Sequence, residues 1–509
     1  MSFSIDNKKI AKNTIALYFR TAITMVISFF TARVTLEVLG SNDYGLNNLV
    51  GSIVSLFSFL NGSMGTAVQR FFNIEMGKGN NEELGRIFGV GRYLHLLVAL
   101  ITVFFCEIFA VFFLHKLNIP AERLNAAHIV FQISILSMAL NIINVPSFAL
   151  LKAHEMFSKT AMIEIIQAFL RLIVLYLLCT IDFDKLIIYS LLNFAVTLYY
   201  VISIHLLARK FPESHHSICR DRQLAKSMIH FISLLIITVL AELLRKQGFV
   251  ILINIFFGLA INAAYAIAMQ VSHMVNTFII NIKQPIVPQM MAAYGANDLK
   301  SMHKLIYMGT KITSLLLLII SIPIIFECQF LLNIWLKTPP THADSLLILV
   351  LINSNIASFT YFLYQGVHAT GHITKQQTYM SVLYVLNVLF VYVSFKFGFN
   401  FYYALYITIF ISILQCAINV IFSKMYCHLV TNDYFKQCFI PWLIIIAVLI
   451  PILLFIKIEI PSSLWRFLFI FFLSTLLCSM LGYYMMLNKQ EKRGVINIIS
   501  KNIKKRNGL

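Results

Sequence analysis

Charged side chains stand in this sequence where charge is expensive. Arg20, Arg33, Arg70, Arg92, Arg171, Arg245, Lys246, Lys283 and Lys311 all fall inside long apolar runs, together with five acids, Glu37, Glu107, Glu164, Glu242 and Glu327. A charge placed in hydrocarbon faces a cavity or a partner. The surplus of about four cations suits an anionic, phosphate-bearing solute, because guanidinium and ammonium groups bind phosphate through charge-assisted hydrogen bonds. A cavity for cationic drugs should show the reverse balance.

Helical geometry sorts these groups. At about 100° per residue, Asn13, Arg20, Thr24 and Thr31 fall on one stripe of the first apolar segment. The second segment carries Asn48, Ser52, Ser55, Gly62, Gln69 and Asn73, and the eighth carries Asn262, Gln270, His273, Asn276 and Gln284. On the fifth, Glu164, Gln167 and Arg171 recur at i, i+3, i+7, where Glu164 could neutralise Arg171. On the seventh, Glu242 and Lys246 form a favourable i,i+4 pair beside Arg245. The substrate-cavity candidates are Arg20, Thr24, Asn48, Arg171, Arg245, Lys246, Gln270 and Asn276. Glu107, Glu164, Glu242 and Glu327 are the candidate carriers of a coupling ion. Arg33 and Glu37, in "TARVTLEVLG", share a face opposite the Arg20 stripe and read as a structural ion pair at the outer end of their segment. Arg70, Arg92, Lys283 and Lys311 read as snorkelling cations. Small and hydroxyl residues in such stripes equally serve close helix packing.

The elements that must hold these residues follow from composition. Of 509 residues, 59% are hydrophobic and 12% charged, half the charged share of about 25% usual for soluble domains. Runs long enough to cross a bilayer as helices recur along the whole chain. We place fourteen: 13–38, 46–70, 87–114, 125–150, 160–180, 186–208, 227–257, 262–287, 305–328, 345–368, 377–395, 402–423, 438–456 and 464–487. Strand-type alternation is absent. The basic start "MSFSIDNKKIAK" precedes a segment too long for a signal peptide, so the first helix is read as retained. The eight cysteines are scattered through apolar runs without a CxxC pair and read as small buried hydrophobes, with no metal site and no cofactor indicated. With both termini in the cytoplasm, the cytoplasmic pieces hold about 24 lysines and arginines and the outward loops about 7. The net charge of +19 is thus topology and contact with anionic lipids rather than nucleic-acid binding. Proline at 146, 285 and 288 predicts bends late in the fourth and eighth segments.

Three landmarks recur. "VLGSNDYGL" around Gly40 resembles "FFGLAINAAYAI" around Gly258, an offset of 218; "RFFNIEMGKGNNEELGRI" around Gly77 resembles "QMMAAYGANDLKSMHKL" around Gly295, again 218; "LKAHEMFSK" resembles "HATGHITK" at 216. The repeat spans six helices, so both copies enter the membrane in the same direction. The expected fold is an all-α integral membrane protein of about fourteen transmembrane helices, two six-helix lobes in a parallel pseudo-two-fold repeat plus two C-terminal helices. The divisions are 1–210 for the N-terminal lobe, 211–430 for the C-terminal lobe, 431–487 for the appended helices and 488–509 for a basic cytoplasmic tail.

These motifs, with "IKQPIVPQMMAAYGANDLKSMHKL" and "GVHATGHITKQQ", resemble those of bacterial polysaccharide flippases of the multidrug/oligosaccharidyl-lipid/polysaccharide exporter superfamily. The resemblance implies a two-lobe transporter of the bacterial inner membrane. It would move undecaprenyl-diphosphate-linked oligosaccharide repeat units outward by alternating access, for O-antigen or capsule, with polysaccharide polymerase machinery as a candidate partner. It also implies a cationic cavity lined from the first helix, the position Arg20 fits. The peptidoglycan-precursor branch would place a further arginine on the second helix, where only Arg70, near its cytoplasmic end, is present. The alternatives are a drug or cation antiporter of the same superfamily and a membrane polysaccharide polymerase. An enzyme is not expected: the outward loops are short and carry no catalytic set.

Overall fold

The computed structural model describes residues 6–55, 58–113, 121–180, 183–336, 338–488 and 491–492. Among the described residues there is no strand. The α-helices run in the order α1 (Asn7–Ser55), α2 (Ser58–Lys78), α3 (Asn81–Phe113), α4 (Leu124–Ala153), α5 (Phe157–Leu178), α6 (Lys185–Ala208), α7 (Arg222–Gly295) and α8 (Leu299–Phe326). They continue as α9 (Cys328–Leu336), α10 (Ala343–Ala357), α11 (Thr360–Thr370), α12 (Thr374–Lys396), α13 (Tyr402–Cys427), α14 (Thr431–Tyr434), α15 (Ile440–Glu459) and α16 (Leu464–Met485). Helices are what a chain this apolar must form, since in lipid every backbone group has to be satisfied within its own segment. Eleven of them are long and apolar enough to cross a membrane, with Ala343–Thr370 and Thr431–Glu459 each counted as one. Large apolar side chains such as Phe104, Ile255, Leu259 and Phe472 are exposed, as a lipid-facing surface requires.

α7 has 74 residues, about 110 Å at 1.5 Å per residue, far more than the roughly 30 Å of a bilayer core. It turns at Gly258 (φ 79°, ψ −172°), and the 49-residue α1 turns at Gly40 (φ 74°, ψ 171°). Positive φ with extended ψ is open only to glycine. The connections expected at 39–45 and 258–261 are therefore not loops: each is a single glycine where one span passes into the next. Counted across these turns, the fourteen-span reading holds. α7 continues helically through Pro285 and Pro288 to Gly295, so neither proline ends the helix.

The chain forms two compact units, one of residues 1–239 with 288–298 and one of 240–287 with 299–509. The first unit is built on a core of Leu46, Val50, Phe131, Ile142 and Leu186. Arg123 ties α1 to the start of α6, with Nη2 2.6 Å from Asp43 Oδ2 and Nη1 2.5 Å from Asp184 Oδ2. Asp184 also caps α6, accepting from the Leu186 and Ile187 amides. Within the same unit, the end of α2 crosses the end of α7. A Cβ at Gly77 would fall 2.0 Å from the Ala292 carbonyl oxygen, and one at Gly295 would fall 2.2 Å from that of Ile74. Asn73 Nδ2 donates to Met291 Sδ at 3.7 Å across an offset of 218, the offset that also separates Ile74 from Ala292 and Gly77 from Gly295.

The second unit has its core at Phe249, Leu317, Val350, Leu351, Val391 and Phe395. Arg466 on α16 holds Glu327 between α8 and α9: its Nη2 donates to Oε2 at 2.7 Å, while Nε lies 2.6 Å from Oε1 in an off-angle, Coulombic approach. Lys311, 3% exposed, reaches Glu491 and Gln437, each at 3.2 Å. Lys311 is thus a buried, paired cation and not a snorkelling one.

Candidate functional site

Each unit contains polar cavities. In the first unit, one of about 400 Å³ lies between α1 and α5, lined by Thr24, Thr31, Thr35, Glu164, Gln167 and Arg171. The helical stripes read from the sequence bring these groups together, for the threonines and the i, i+3, i+7 set face one another. Thr24 donates its hydroxyl to the Arg20 carbonyl at 2.9 Å, which holds its rotamer. A second cavity of about 830 Å³, chiefly between α4 and α6, shares Asn47, Arg171 and Tyr189 with the first.

Arg20 takes a different part from the one expected. Its Nη1 donates to Glu164 Oε2 at 2.6 Å, both side chains being about one-fifth exposed. Glu164 therefore pairs with Arg20 on α1 and not with Arg171 on its own helix. The reason is geometric: residues seven apart on one helix lie two turns apart, whereas α1 and α5 pack directly. Arg171 remains exposed in the cavity, with no acid paired to it among the described residues.

In the second unit a cavity of about 450 Å³ is lined by Glu242, Arg245, Lys246, His273, Asn276 and Lys283, with Ser272, Asn353 and Ser354 beyond them. Lys246 Nζ lies 2.7 Å from Glu242 Oε1, so this acid is matched within its own helix. Arg245 and Lys283 have no carboxylate within ion-pair distance among the described residues. Aromatic faces hold them instead: Arg245 stands 5.4 Å from the Tyr384 ring and Lys283 4.4 Å from the Tyr361 ring. The buried Arg245 Nε donates to no protein group. Arg245 and Lys283 are thus two cations fixed in place with their hydrogen-bonding capacity left over, an arrangement that binds an anion.

The remaining candidates separate from these cavities. Gln270 is exposed and lines none of the three. Glu107 accepts from Gln132 Nε2 at 3.0 Å, and Glu327 is held by Arg466. The side chains of Asn48 and Arg33 lie outside the described residues, so the Arg33–Glu37 pair does too. Sequence reasoning missed Lys283 as a cavity residue, having read it as a snorkelling cation near a helix end. It also missed Ser134, Ser137, Asn141 and Asn144, although their i, i+3, i+7, i+10 spacing on α4 was a legible stripe. Among the described residues no group of three or more His, Cys, Asp or Glu is placed to hold a metal.

Residues 16–177 match the MatE family model. No curated protein matches the chain. Solved structures share its fold at low identity. A crystallised MATE point mutant matches with a TM-score of 0.71 at 11% identity, over 84% of this chain and 97% of that one. A multidrug resistance MATE family transporter of the MOP superfamily, in an outward-facing conformation, gives 0.67 at 11%, over 84% and 96%. A MOP superfamily transporter from Pyrococcus furiosus, whose binding pocket has a reversed polarity that suggests a different function, gives 0.66 at 12%, over 84% and 96%. The chain has the fold of the MATE transporters, and eleven helices among its described residues are long and apolar enough to cross a membrane.

Proposed function

We propose that the chain is a lipid-linked oligosaccharide flippase, moving undecaprenyl-diphosphate-linked repeat units across the bacterial inner membrane by alternating access. The observation that carries this reading is the unmatched pair Arg245 and Lys283 in the cavity of the second unit. A diphosphate and its sugars cannot cross roughly 30 Å of hydrocarbon unaided. Arg245 offers a fork to phosphate oxygens and Lys283 a point charge, while the polyprenyl tail stays in lipid. Anionic lipids and polysaccharide polymerase machinery are the partners that accompany this reading, with both termini in the cytoplasm.

The fold neighbours favour a second reading, a drug or cation antiporter. Against it, Glu164, Glu242 and Glu327 are each already paired with a cation of this chain. Proteoliposomes separate the two. A fluorescent polyprenyl-diphosphate saccharide should change leaflets when the protein is present, and Arg245→Gln with Lys283→Gln should slow it at least about tenfold, the loss expected for a charge-assisted contact. Ethidium transport with no movement of the lipid would decide for the antiporter.

A further inference from the structure

The larger cavity of the first unit has a chemistry unlike the anion site. Ser134, Ser137, Asn141 and Asn144 stand on α4 at i, i+3, i+7 and i+10. Ser190, Asn193, Thr197 and Tyr200 repeat the same spacing on α6, the helix packed against it. Each set is one stripe, and the two line one cavity.

The donors of these stripes are largely used. Ser134, Ser137, Ser190 and Thr197 each donate a hydroxyl to the carbonyl four residues earlier, at 2.7 to 3.0 Å. Asn141 and Asn193 each commit one amide N–H in the same way, both at 2.9 Å. What they turn to the cavity is mainly oxygen lone pairs. Asn144, 5% exposed, has no hydrogen-bond partner among the described residues, and Asn61 Oδ1 is buried there without one. A buried acceptor left in this state, beside an amide that reaches the cavity with no protein partner, calls for a ligand that completes them.

A wall of acceptors selects a ligand rich in donors. Phosphate brings acceptors alone and is poorly matched by these stripes, where Arg171 supplies the cationic donors. A cation meets no free acid, since Glu164 is held by Arg20. A saccharide brings hydroxyl donors at high density, and Tyr189, Tyr200 and Phe148 supply ring faces for its C–H surfaces. Arg171, common to both cavities of this unit, offers its fork to a pair of neighbouring hydroxyls or to the carboxylate of an acidic sugar.

We propose that the α4–α6 cavity is a saccharide-binding site for the sugars of the lipid-linked oligosaccharide. The proposal rests on the flippase reading. The test uses the whole chain in nanodiscs, with two probes: an array of immobilised bacterial saccharides and a sugar-free polyprenyl diphosphate. At least one saccharide should bind. Asn144→Leu and Asn193→Leu should weaken that binding about tenfold per amide while leaving polyprenyl diphosphate binding unchanged. Asn144→Ala and Asn193→Ser serve where a leucine variant fails to give a monodisperse protein. Arg245→Gln should show the opposite pattern. Saccharide binding that survives all the asparagine variants, or diphosphate binding with no saccharide bound, overturns the site and leaves the flippase standing. Binding of neither probe by folded protein overturns the flippase reading and the site with it.

Discussion

Arg20 Nη1 lies 2.6 Å from Glu164 Oε2, so the cation of the first helix and the acid of the fifth neutralise one another. Removing either leaves a part-buried charge without its partner. Arg20→Gln or Glu164→Gln alone should destabilise the protein by about 1–3 kcal/mol, between the values for surface and buried pairs. The double variant should recover most of that loss. Thermal unfolding of the four proteins in detergent gives the coupling, and additive single losses would show that the pair does not act as a unit.

Glu327 and Arg466 provide the sharper case. Glu327 is fully buried and Arg466 nearly so, with side-chain exposures of 0% and 8%. Glu327→Ala should cost about 3–5 kcal/mol by stranding a buried guanidinium. Glu327→Gln combined with Arg466→Met should keep transport, if the pair holds α16 against the α8–α9 junction and carries no coupling ion. A stable double variant that is dead in transport would return Glu327 to the list of ion carriers.

Gly40 and Gly258 can be tested through the backbone alone. A Cβ at either meets no atom within 4 Å, so an alanine there suffers no clash and only the positive φ of 74° or 79° is at issue. Gly40→Ala and Gly258→Ala should each lose about 1–3 kcal/mol. Gly62→Ala, in a helix with equally open surroundings, should be neutral or slightly stabilising. Fluorescence-detected size exclusion over a temperature series ranks the three.

His154 supplies a pH dependence. It sits between α4 and α5, stacked on Phe211 at 3.8 Å with Nε2 3.3 Å from Glu213, and burial holds its imidazole below the ordinary value of 6.5 despite the opposing pull of Glu213. The folded protein therefore binds fewer protons than the unfolded chain just below that value. The stability this contributes is complete above pH 6.5 and is lost as pH falls. Neighbouring Glu155 acts in the opposite sense, its carboxyl pushed up by burial against the Gln289 and Lys9 contacts. The comparison that isolates His154 is thus with His154→Phe, whose melting temperature should fall less than that of the parent between pH 7 and 5.5.

The sequence made the helical class, the fourteen spans and the Gly40–Gly258 and Gly77–Gly295 correspondences legible, because apolar run length and special glycines act locally. The Glu242–Lys246 pair within one helix was legible too, but pairing between helices was not, because it depends on which helices pack. The spacing offered Glu164 only Arg171 on its own helix, and it is the packing of α5 on α1 that brings Arg20 to it. Arg123, Asp43 and Asp184 sit on three separate stretches of the chain whose juxtaposition no spacing rule predicts. Arg245 and Lys246 stand three and four residues after Glu242, both within helical reach of it, yet only Lys246 makes the pair. The α4 and α6 stripes had a legible spacing but carry no charge, and only the cavity they line singles them out.

The crossing of α2 and α7 has a history written into it. Gly77 faces the backbone at Ala292, and Gly295 faces the backbone at Ile74, so the contact maps onto itself when 218 is added to one side and subtracted from the other. That is the isologous geometry of two identical half-length chains meeting at a two-fold axis. In such an ancestral pair, one codon would have governed both faces, and any mutation would have struck twice. In a single chain the two codons are separate, yet a Cβ at either glycine still meets the backbone that faces it, so both positions stay closed to a side chain.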